Sequence, residues 1–272
     1  MKHLIIIGEN SFIGTNLFKF LRTSYLVKKI DYNGFLKLSS EYLARIDYII
    51  NCSTNVQYIQ NKYLEKNDFD YHIAKKIKDY DCKLIFLSSR KVYKVGDNIK
   101  ENSTLQPNCN YSENKIKTEK KLLKIIKNKV LIMRISNLIG LNSSNNKTKK
   151  VHTLFIDSFF ENVKKNIIFD NKKNYKDFLP IGTFNIIIKA LIVKNAVGIY
   201  NISAGRKIFL NTLVSWLNYY NKNNYTIKNV PKYFNNDCFY LNNDKLIKKI
   251  KLKIKLKDLE KQCKLISRTI FK

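Results

Sequence analysis

The stretch Leu4-Ile5-Ile6-Ile7-Gly8-Glu9-Asn10-Ser11-Phe12-Ile13-Gly14 decides the fold. Its first four residues make a short, unbroken apolar run, as expected of a strand buried on both faces of a parallel sheet. The run passes into a turn bounded by two glycines, and Asn16-Leu17-Phe18-Lys19-Phe20-Leu21 then takes up a helical pattern. Strand, glycine turn and helix in that order are the context in which a dinucleotide is bound. Gly8 permits the tight turn and Gly14 permits close packing of helix on strand. The first N–H groups of the helix then face a pyrophosphate. Ser11, Phe12 and Ile13 lie inside this turn and join the glycines as candidate cofactor-binding residues.

Outward from the turn, the segment Tyr25–Ile30 ends at Asp31. An acid about 20 positions past the glycine turn, at the end of the second strand, is placed to accept from the adenosine ribose hydroxyls. It would repel a 2′-phosphate and so favour NAD over NADP, although Lys28 and Lys29 blur that preference. A solvated strand-end aspartate is the other reading. Residues 32–45 are a short connection with at best a vestigial strand. Asp47–Cys52 reads as the next buried strand, and Ser53 and Thr54 end it with small polar residues that a cofactor can approach. A helical stretch is expected over 58–79, and then the strand Lys83–Leu87. Ser88 and Ser89 follow at its carboxyl end, where open α/β sheets bind ligands. After a polar loop over 94–108, a helix runs from Asn110 to about Asn128, and the strand Val130–Ile135 leads to Ser136 and Asn137.

Five such alternations within the first 140 residues predict an α/β fold, a doubly wound parallel sheet with right-handed crossovers. Beyond a loop over 141–150, helices are expected at 151–164, 183–194 and near 209–221, with strands near 167–169 and at 198–202. A basic section ends the chain. Within it, the alternation Lys249–Leu256 reads as a half-buried edge strand or a helix junction, its lysines being a solvated face. This organisation divides the chain into a dinucleotide-binding domain over 1–165, with core returns near 177–203, and a smaller mixed lobe over 166–272 that holds substrate.

Asn110-Tyr111-Ser112-Glu113-Asn114-Lys115 carries the candidate chemistry. Tyrosine and lysine four apart lie on one helix face, where an ammonium acts on a phenol. A free tyrosine titrates near pH ~10, so proton transfer near neutrality needs a downward move of roughly three units, on the order of 4 kcal/mol. A neighbouring positive charge supplies stabilisation of that kind. The spacing alone does not single out residue 111, because Tyr25/Lys29, Tyr58/Lys62 and Tyr71/Lys75 repeat it.

The 272-residue chain has a formal charge of +30, which invites a polyanion-binding or RNA-binding reading. Its lysines, however, are spread over the whole length beside abundant asparagine and isoleucine, a joint bias that suits compositional drift. A hydrophobic content of 44% is that of a folded globular chain. Five cysteines without C-x-x-C spacing argue against a disulfide framework and for a reducing compartment. Three histidines, none paired at metal-ligand spacing, give no metal site. No apolar run approaches the ~18 residues of a membrane span, and the first residues lack a signal-peptide pattern, so a cytoplasmic protein is expected.

Taken together, the pieces resemble the extended short-chain dehydrogenase/reductases, the NAD-dependent nucleotide-sugar epimerases, dehydratases and reductases, over nearly the whole chain. Gly8–Gly14 is similar to the family's G-x-x-G-F-I-G turn, with Ser11 replacing the middle glycine. Ser88-Ser89-Arg90-Lys91-Val92-Tyr93 is similar to its S-S-x-x-V-Y-G segment. Pro107, Tyr111, Lys115 and Glu119 follow P-x-x-x-Y-x-x-x-K-x-x-x-E, and Arg134–Gly140 follows R-x-x-N-x-x-G. The resemblance implies that Ser89 hydrogen-bonds the reacting oxygen and Tyr111 is the acid/base. Lys115 would hold the nicotinamide ribose, and Asn137 would contact the substrate's diphosphate. It also implies a homodimer built through the Tyr111 helix and its neighbour.

The departures narrow the reaction. Sugar 4,6-dehydratases carry an Asp-Glu pair directly after the catalytic hydroxyl residue, where this chain has Arg90 and Lys91. Epimerase/reductases similar to GDP-fucose synthase use a later histidine, near which His152 falls; an ordinary exposed or capping histidine is the alternative. Ser11 and the short 32–45 region crowd or trim the cofactor site. The implied activity is NAD(P)-dependent reduction of a 4-keto-6-deoxy nucleotide sugar. The alternatives are a nucleotide-sugar 4-epimerase or a non-catalytic polyanion-binding member of the fold.

Overall fold

β1 (His3–Ile7) sits inside a six-stranded sheet with β2 (Leu26–Ile30) on one side and β3 (Tyr48–Asn51) on the other. β4 (Lys83–Ser89), β5 (Val130–Ile135) and β10 (Gly198–Ile202) extend the sheet beyond β3, and every pairing is parallel. The order β2-β1-β3-β4-β5-β10 reverses direction between β1 and β3. In open α/β sheets that crevice is where ligands bind. The computed structural model describes residues 1–141, 155–165, 167–170, 174–223, 226–229 and 237–271.

The unbroken apolar run of β1 is explained by the layers above and below it. Leu4 and Ile6 belong to a core with Leu17 and Leu21 of α1 (Phe12–Leu21). Ile5 and Ile7 face the opposite core, whose Phe35 lies in α2 (Tyr32–Leu36) and Leu43 in α3 (Ser40–Leu43). Successive strand residues point to opposite faces, so only a strand covered twice is apolar throughout. The remaining elements before residue 140 are α4 (Val56–Gln60), α5 (Phe69–Ile77), α6 (Asn110–Ile125) and β6 (Asn137–Ile139). α5 and α6 cover the Ile5/Ile7 face, through Ile73, Ile77 and Leu122.

After β6 come α7 (Phe155–Lys164), β7 (Ile167–Asp170), β8 (Tyr175–Lys176), β9 (Phe178–Pro180) and α8 (Ile181–Val193). α8 joins the Leu4/Ile6 core through Phe184, Ile187, Ile188 and Leu191. Past β10 lie β11 (Ile208–Phe209), α9 (Leu210–Leu217), β12 (Thr226–Asn229), α10 (Asp244–Ile250) and α11 (Leu256–Phe271). A separate core gathers Phe159, Phe178, Leu213, Leu217, Leu259 and Cys263 from α7, β9, α9 and α11. The five cysteines are free. Among the described residues no helix is long and apolar enough to cross a membrane.

Two expectations change in extent, and one open alternative is resolved. The 58–79 stretch is not one helix: α4 ends at Gln60, a 3-10 turn covers Glu65–Asn67, and Asp68 starts α5 afresh by accepting from Tyr71 N at 3.1 Å. The strand expected over Lys83–Leu87 runs two residues further, so that Ser88 and Ser89 are the last residues of β4. Of the two readings of Lys249–Leu256, the helix junction holds: α10 ends there with Lys251 in the left-handed conformation that closes a helix, and α11 begins at Leu256. α10 and α11 themselves are elements that the lysine-rich tail conceals. Residues 32–45, as expected, hold no strand, only α2 and α3.

Candidate active site

The glycine turn lies at the crevice between β1 and β3. Gly8 has φ of +97°, and a Cβ there would stand 2.8 Å from the Cys52 carbonyl carbon and 2.9 Å from Ser53 N. A Cβ on Gly14 would stand 2.5 Å from the Gly8 carbonyl oxygen. Both positions therefore admit only hydrogen, one because of its backbone and its contact with β3, the other because α1 crosses β1 so closely. α1 opens with Phe12 and Ile13 and carries no acid in its first turn, which leaves a positive helix end facing the crevice. Ser11 caps α1, its Oγ accepting from Gly14 N at 2.9 Å. Asp31 is exposed and caps α2, its Oδ1 accepting from Gly34 N at 2.6 Å. Ser53 N donates to Asn51 Oδ1 at 3.0 Å, holding the end of β3 tightly turned.

Along the sheet edge from this cradle lie Ser89 and the Tyr111 helix. The two serines of β4 divide their work because neighbouring strand residues face opposite ways. Ser88 is buried and donates to Glu119 Oε1 at 2.5 Å, whereas half-buried Ser89 caps a 3-10 turn over Arg90–Val92. α6 packs against β4 and that turn. Lys115 is 4% exposed and is the one buried lysine among the described residues. Its Nζ stands 5.7 Å from the centre of the Tyr111 ring, 4.4 Å from that of Phe86 and 5.5 Å from that of Tyr58. The competing spacings lack this setting, since Lys62 and Lys75 are exposed and Lys29 is only half-buried. Lys75 reaches its own tyrosine equally well, at 5.5 Å, so burial and not distance separates Tyr111/Lys115 from the rest.

Buried carboxylates, which the motif reading left without roles, frame this helix. Glu119 receives Arg134 Nε at 3.1 Å and Nη2 at 2.6 Å, tying α6 to β5 while Ser88 ties it to β4. Asp68 Oδ2 accepts from Thr118 Oγ1 at 2.6 Å and from Tyr63 OH at 2.9 Å. Asp70, 6% exposed, accepts from Asn51 Nδ2 at 2.9 Å. Burial pushes its carboxyl up to about 7; the Lys115 charge and the Asn51 bond pull it down, and Asp68 adds to the rise. The signal for Asp70 was in the helix period: the apolar stripe Ile73, Ala74, Ile77, continued back one turn, lands on residue 70.

Asn137 donates from both its backbone N (3.3 Å) and its Nδ2 (3.2 Å) to the Asp177 carbonyl oxygen, fastening β6 to β9. His152 lies outside the described residues. Arg90 makes a two-pronged bond to Asp237, 2.6 Å at each oxygen, and lies 3.9 Å over the Phe239 ring; Lys176 reaches the same carboxylate at 2.9 Å. Although burial alone would raise it, these cations hold Asp237 down at about 2. Next to Ser89 there is thus a cation locked to an ionised carboxylate. Among the described residues no cluster of His, Cys, Asp and Glu has the geometry to hold a metal.

A glycine cradle at a sheet reversal, and half-buried Tyr111 beside buried Lys115 on a helix along the same sheet edge, belong to a doubly wound α/β fold of the Rossmann type. The chain belongs to the NAD dependent epimerase/dehydratase family, whose profile it matches over residues 4–203. No curated protein matches it by sequence. Among solved structures it is similar to the UDP-N-acetylglucosamine 4-epimerase from Methanobrevibacter ruminantium M1 in complex with UDP-N-acetylmuramic acid, at TM-score 0.81 and 17% identity over 99% of this chain and 98% of that one. It is also similar to the dTDP-glucose 4,6-dehydratase from Bacillus anthracis str. Ames in complex with NAD, at TM-score 0.77 and 18% identity over 98% and 96%. A third likeness is to RMD from Pseudomonas aeruginosa complexed with NADPH, at TM-score 0.73 and 15% identity over 100% and 99%.

Proposed function

We propose that the chain is an NAD(P)-dependent oxidoreductase of a nucleotide-activated sugar, reducing a 4-keto-6-deoxy sugar through Ser89, Tyr111 and Lys115. The observation that carries this is the buried Lys115 on the Tyr111 face of α6, beside a cradle that admits no Cβ at Gly8 or Gly14. The cradle fits a dinucleotide: the head of α1 would hold the pyrophosphate, Asp31 would accept from the adenosine ribose, and Ser53 would line the path between them. NAD is favoured over NADP because Asp31 would repel a 2′-phosphate. When bound, the cofactor supplies the hydride for the carbonyl carbon. The chain's own part is the proton: the Tyr111 hydroxyl gives it to the carbonyl oxygen as Ser89 donates a hydrogen bond there. Lys115, held off water by three rings, stabilises the tyrosinate left behind.

Elimination of water would need a proton donor beside Ser89, and that place is taken by Arg90 clamped to an ionised Asp237. The neighbours' named ligands, UDP-sugars, NAD and NADPH, support the same substrate and cofactor class. The lobe over 166–272 would take the nucleotide, with Asn137 Oδ1 at the diphosphate. α5 and α6 would form the face of a homodimer. A 4-epimerase is the second reading, because it too dispenses with an acid pair. Thermal-shift measurements with NAD, NADP and a panel of nucleotide sugars test the proposal, since only a ligand of the folded state raises the midpoint. No shift with any dinucleotide sinks it. Stoichiometric consumption of NAD(P)H marks the reductase; interconversion without net consumption marks the epimerase.

A further inference from the structure

Two buried charges stand side by side beneath the helices that carry the site. Asn51 and Phe86 are register partners on β3 and β4, so their side chains point to the same face of the sheet. On Asn51 rests the Asp70 carboxylate, 2.9 Å from its Nδ2, and over Phe86 rests the Lys115 ammonium, 4.4 Å from the ring centre. α5 and α6, which bear the two charges, pack against each other over this strand pair. Asp70 is 6% exposed and Lys115 4%, so water screens neither well.

We propose that Asp70 is a positioning residue of the site: standing one strand over, its carboxylate counters the Lys115 ammonium and sets how much of that charge reaches the Tyr111 oxygen. This rests on the assignment of Tyr111 as the acid/base. With Asp70 ionised, the pair is neutral as a unit and the tyrosinate is stabilised weakly; with Asp70 protonated, the full ammonium acts on it. The other groups facing Asp70 are few. Asp68 lies on its own helix, held by Thr118 and Tyr63, and His72 is bonded to Tyr32 OH at 2.7 Å. Tyr32 from α2, Cys52 at the end of β3 and Tyr58 from α4 complete its surroundings. Burial pushes the thiol and both phenols up, which leaves them neutral, so Lys115 is the cation that Asp70 offsets.

The test needs no turnover. The tyrosinate absorbance that Tyr111→Phe abolishes is titrated in the full chain and in Asp70→Asn. The signal is expected at a pH on the order of one unit lower in Asp70→Asn. A midpoint unchanged within about 0.3 unit overturns the proposal while leaving dinucleotide binding, measured separately, intact. Should Asp70→Asn not fold, the carbon-13 carboxyl resonance of Asp70 is titrated in the wild-type chain and in Lys115→Met. Loss of the ammonium is expected to move it upward by on the order of one unit, and an unmoved resonance refutes the coupling. Failure of the chain to bind any dinucleotide would sink the proposed function without shifting either titration.

Discussion

Removing the Glu119 carboxylate by Glu119→Ala is expected to cost about 3–5 kcal/mol of stability. The side chains of Glu119 and Arg134 are each 4% exposed, and three bonds join them: Nε to both oxygens at 3.1 and 3.2 Å, and Nη2 to Oε2 at 2.6 Å. Without Glu119 the guanidinium keeps only the Glu101 carbonyl oxygen at 3.0 Å and the Tyr93 ring at 4.8 Å, while Ser88 Oγ loses its acceptor. A stranded buried charge and an orphaned hydroxyl therefore add in the same direction. For a chain of this size the loss corresponds to about 10 °C in Tm. Urea unfolding measures it as a lower midpoint with an unchanged slope. The partner experiment is Glu119→Leu combined with Arg134→Met, which removes both charges and keeps the volume. The double variant is expected to recover most of the loss, because two charges taken out of water together return little net energy. A single-variant cost below about 1 kcal/mol, or a double variant no better than Glu119→Ala, would refute the reasoning.

Three further outcomes are expected. Gly8→Ala forces a Cβ to 2.8 Å from the Cys52 carbonyl carbon at φ +97°, so it lowers the thermal midpoint by an amount equivalent to about 1–2 kcal/mol or more and abolishes the NAD-induced shift. Tyr111→Phe leaves the midpoint near wild type and lowers kcat by about 10²–10⁴-fold, read as NAD(P)H oxidation with the nucleotide sugar found by thermal shift. Asp177 is fully buried, and its two oxygens accept from the backbone N–H groups of Ala204, Gly205 and Leu241 at 2.9, 3.1 and 3.3 Å. Burial outweighs those bonds and pushes its carboxyl from 3.8 up to about 6, so its favourable contribution is complete below pH 3.8 and is lost as pH rises through 6. Asp177→Asn removes that titration and turns an amide donor onto two N–H donors. Its urea midpoint should fall at every pH, by more near pH ~5 than near pH ~8; the reverse order would contradict the sign.

What the sequence reveals is what local periodicity and chain order encode. Leu4–Ile7 is apolar throughout because β1 is covered twice, and Gly8 and Gly14 are glycines because carbonyl groups stand where a Cβ would go. Those features can be read within fifteen residues. The break in 58–79 was less visible, because Asp68 and Asp70 look alike in sequence yet one caps a helix and the other lies under it. In the tail, the stripe Leu259, Cys263, Ile266 belongs to α11, but the alternation of lysines just before it imitates a strand. Other features have no local signal at all. Arg90 and Asp237 are 147 residues apart, and nothing near either one names its partner. The same is true of Asp177, whose donors at Ala204, Gly205 and Leu241 meet it only once β9, β10 and the 237–241 segment are in place.

The charge balance explains why the site was hard to isolate by its lysine. With 51 Lys and Arg against 21 Asp and Glu, a cation at any given spacing carries little information, and four Tyr–Lys pairs compete. Acids are scarce, and keeping one buried costs desolvation that must be answered by a partner. The buried acids among the described residues are Asp68, Asp70, Glu119 and Asp177. Three of them contact or flank α6: Asp68 through Thr118, Asp70 beside Lys115, and Glu119 between β4 and β5. The fourth locks the segment after β10 to β9, next to Asn137. In a chain saturated with lysine, then, the carboxylates hold the positional information. Lys115 stands apart from the other lysines because the acids around it make burying an ammonium tolerable, and the role proposed for Tyr111 rests on its sharing that lysine's face of the helix.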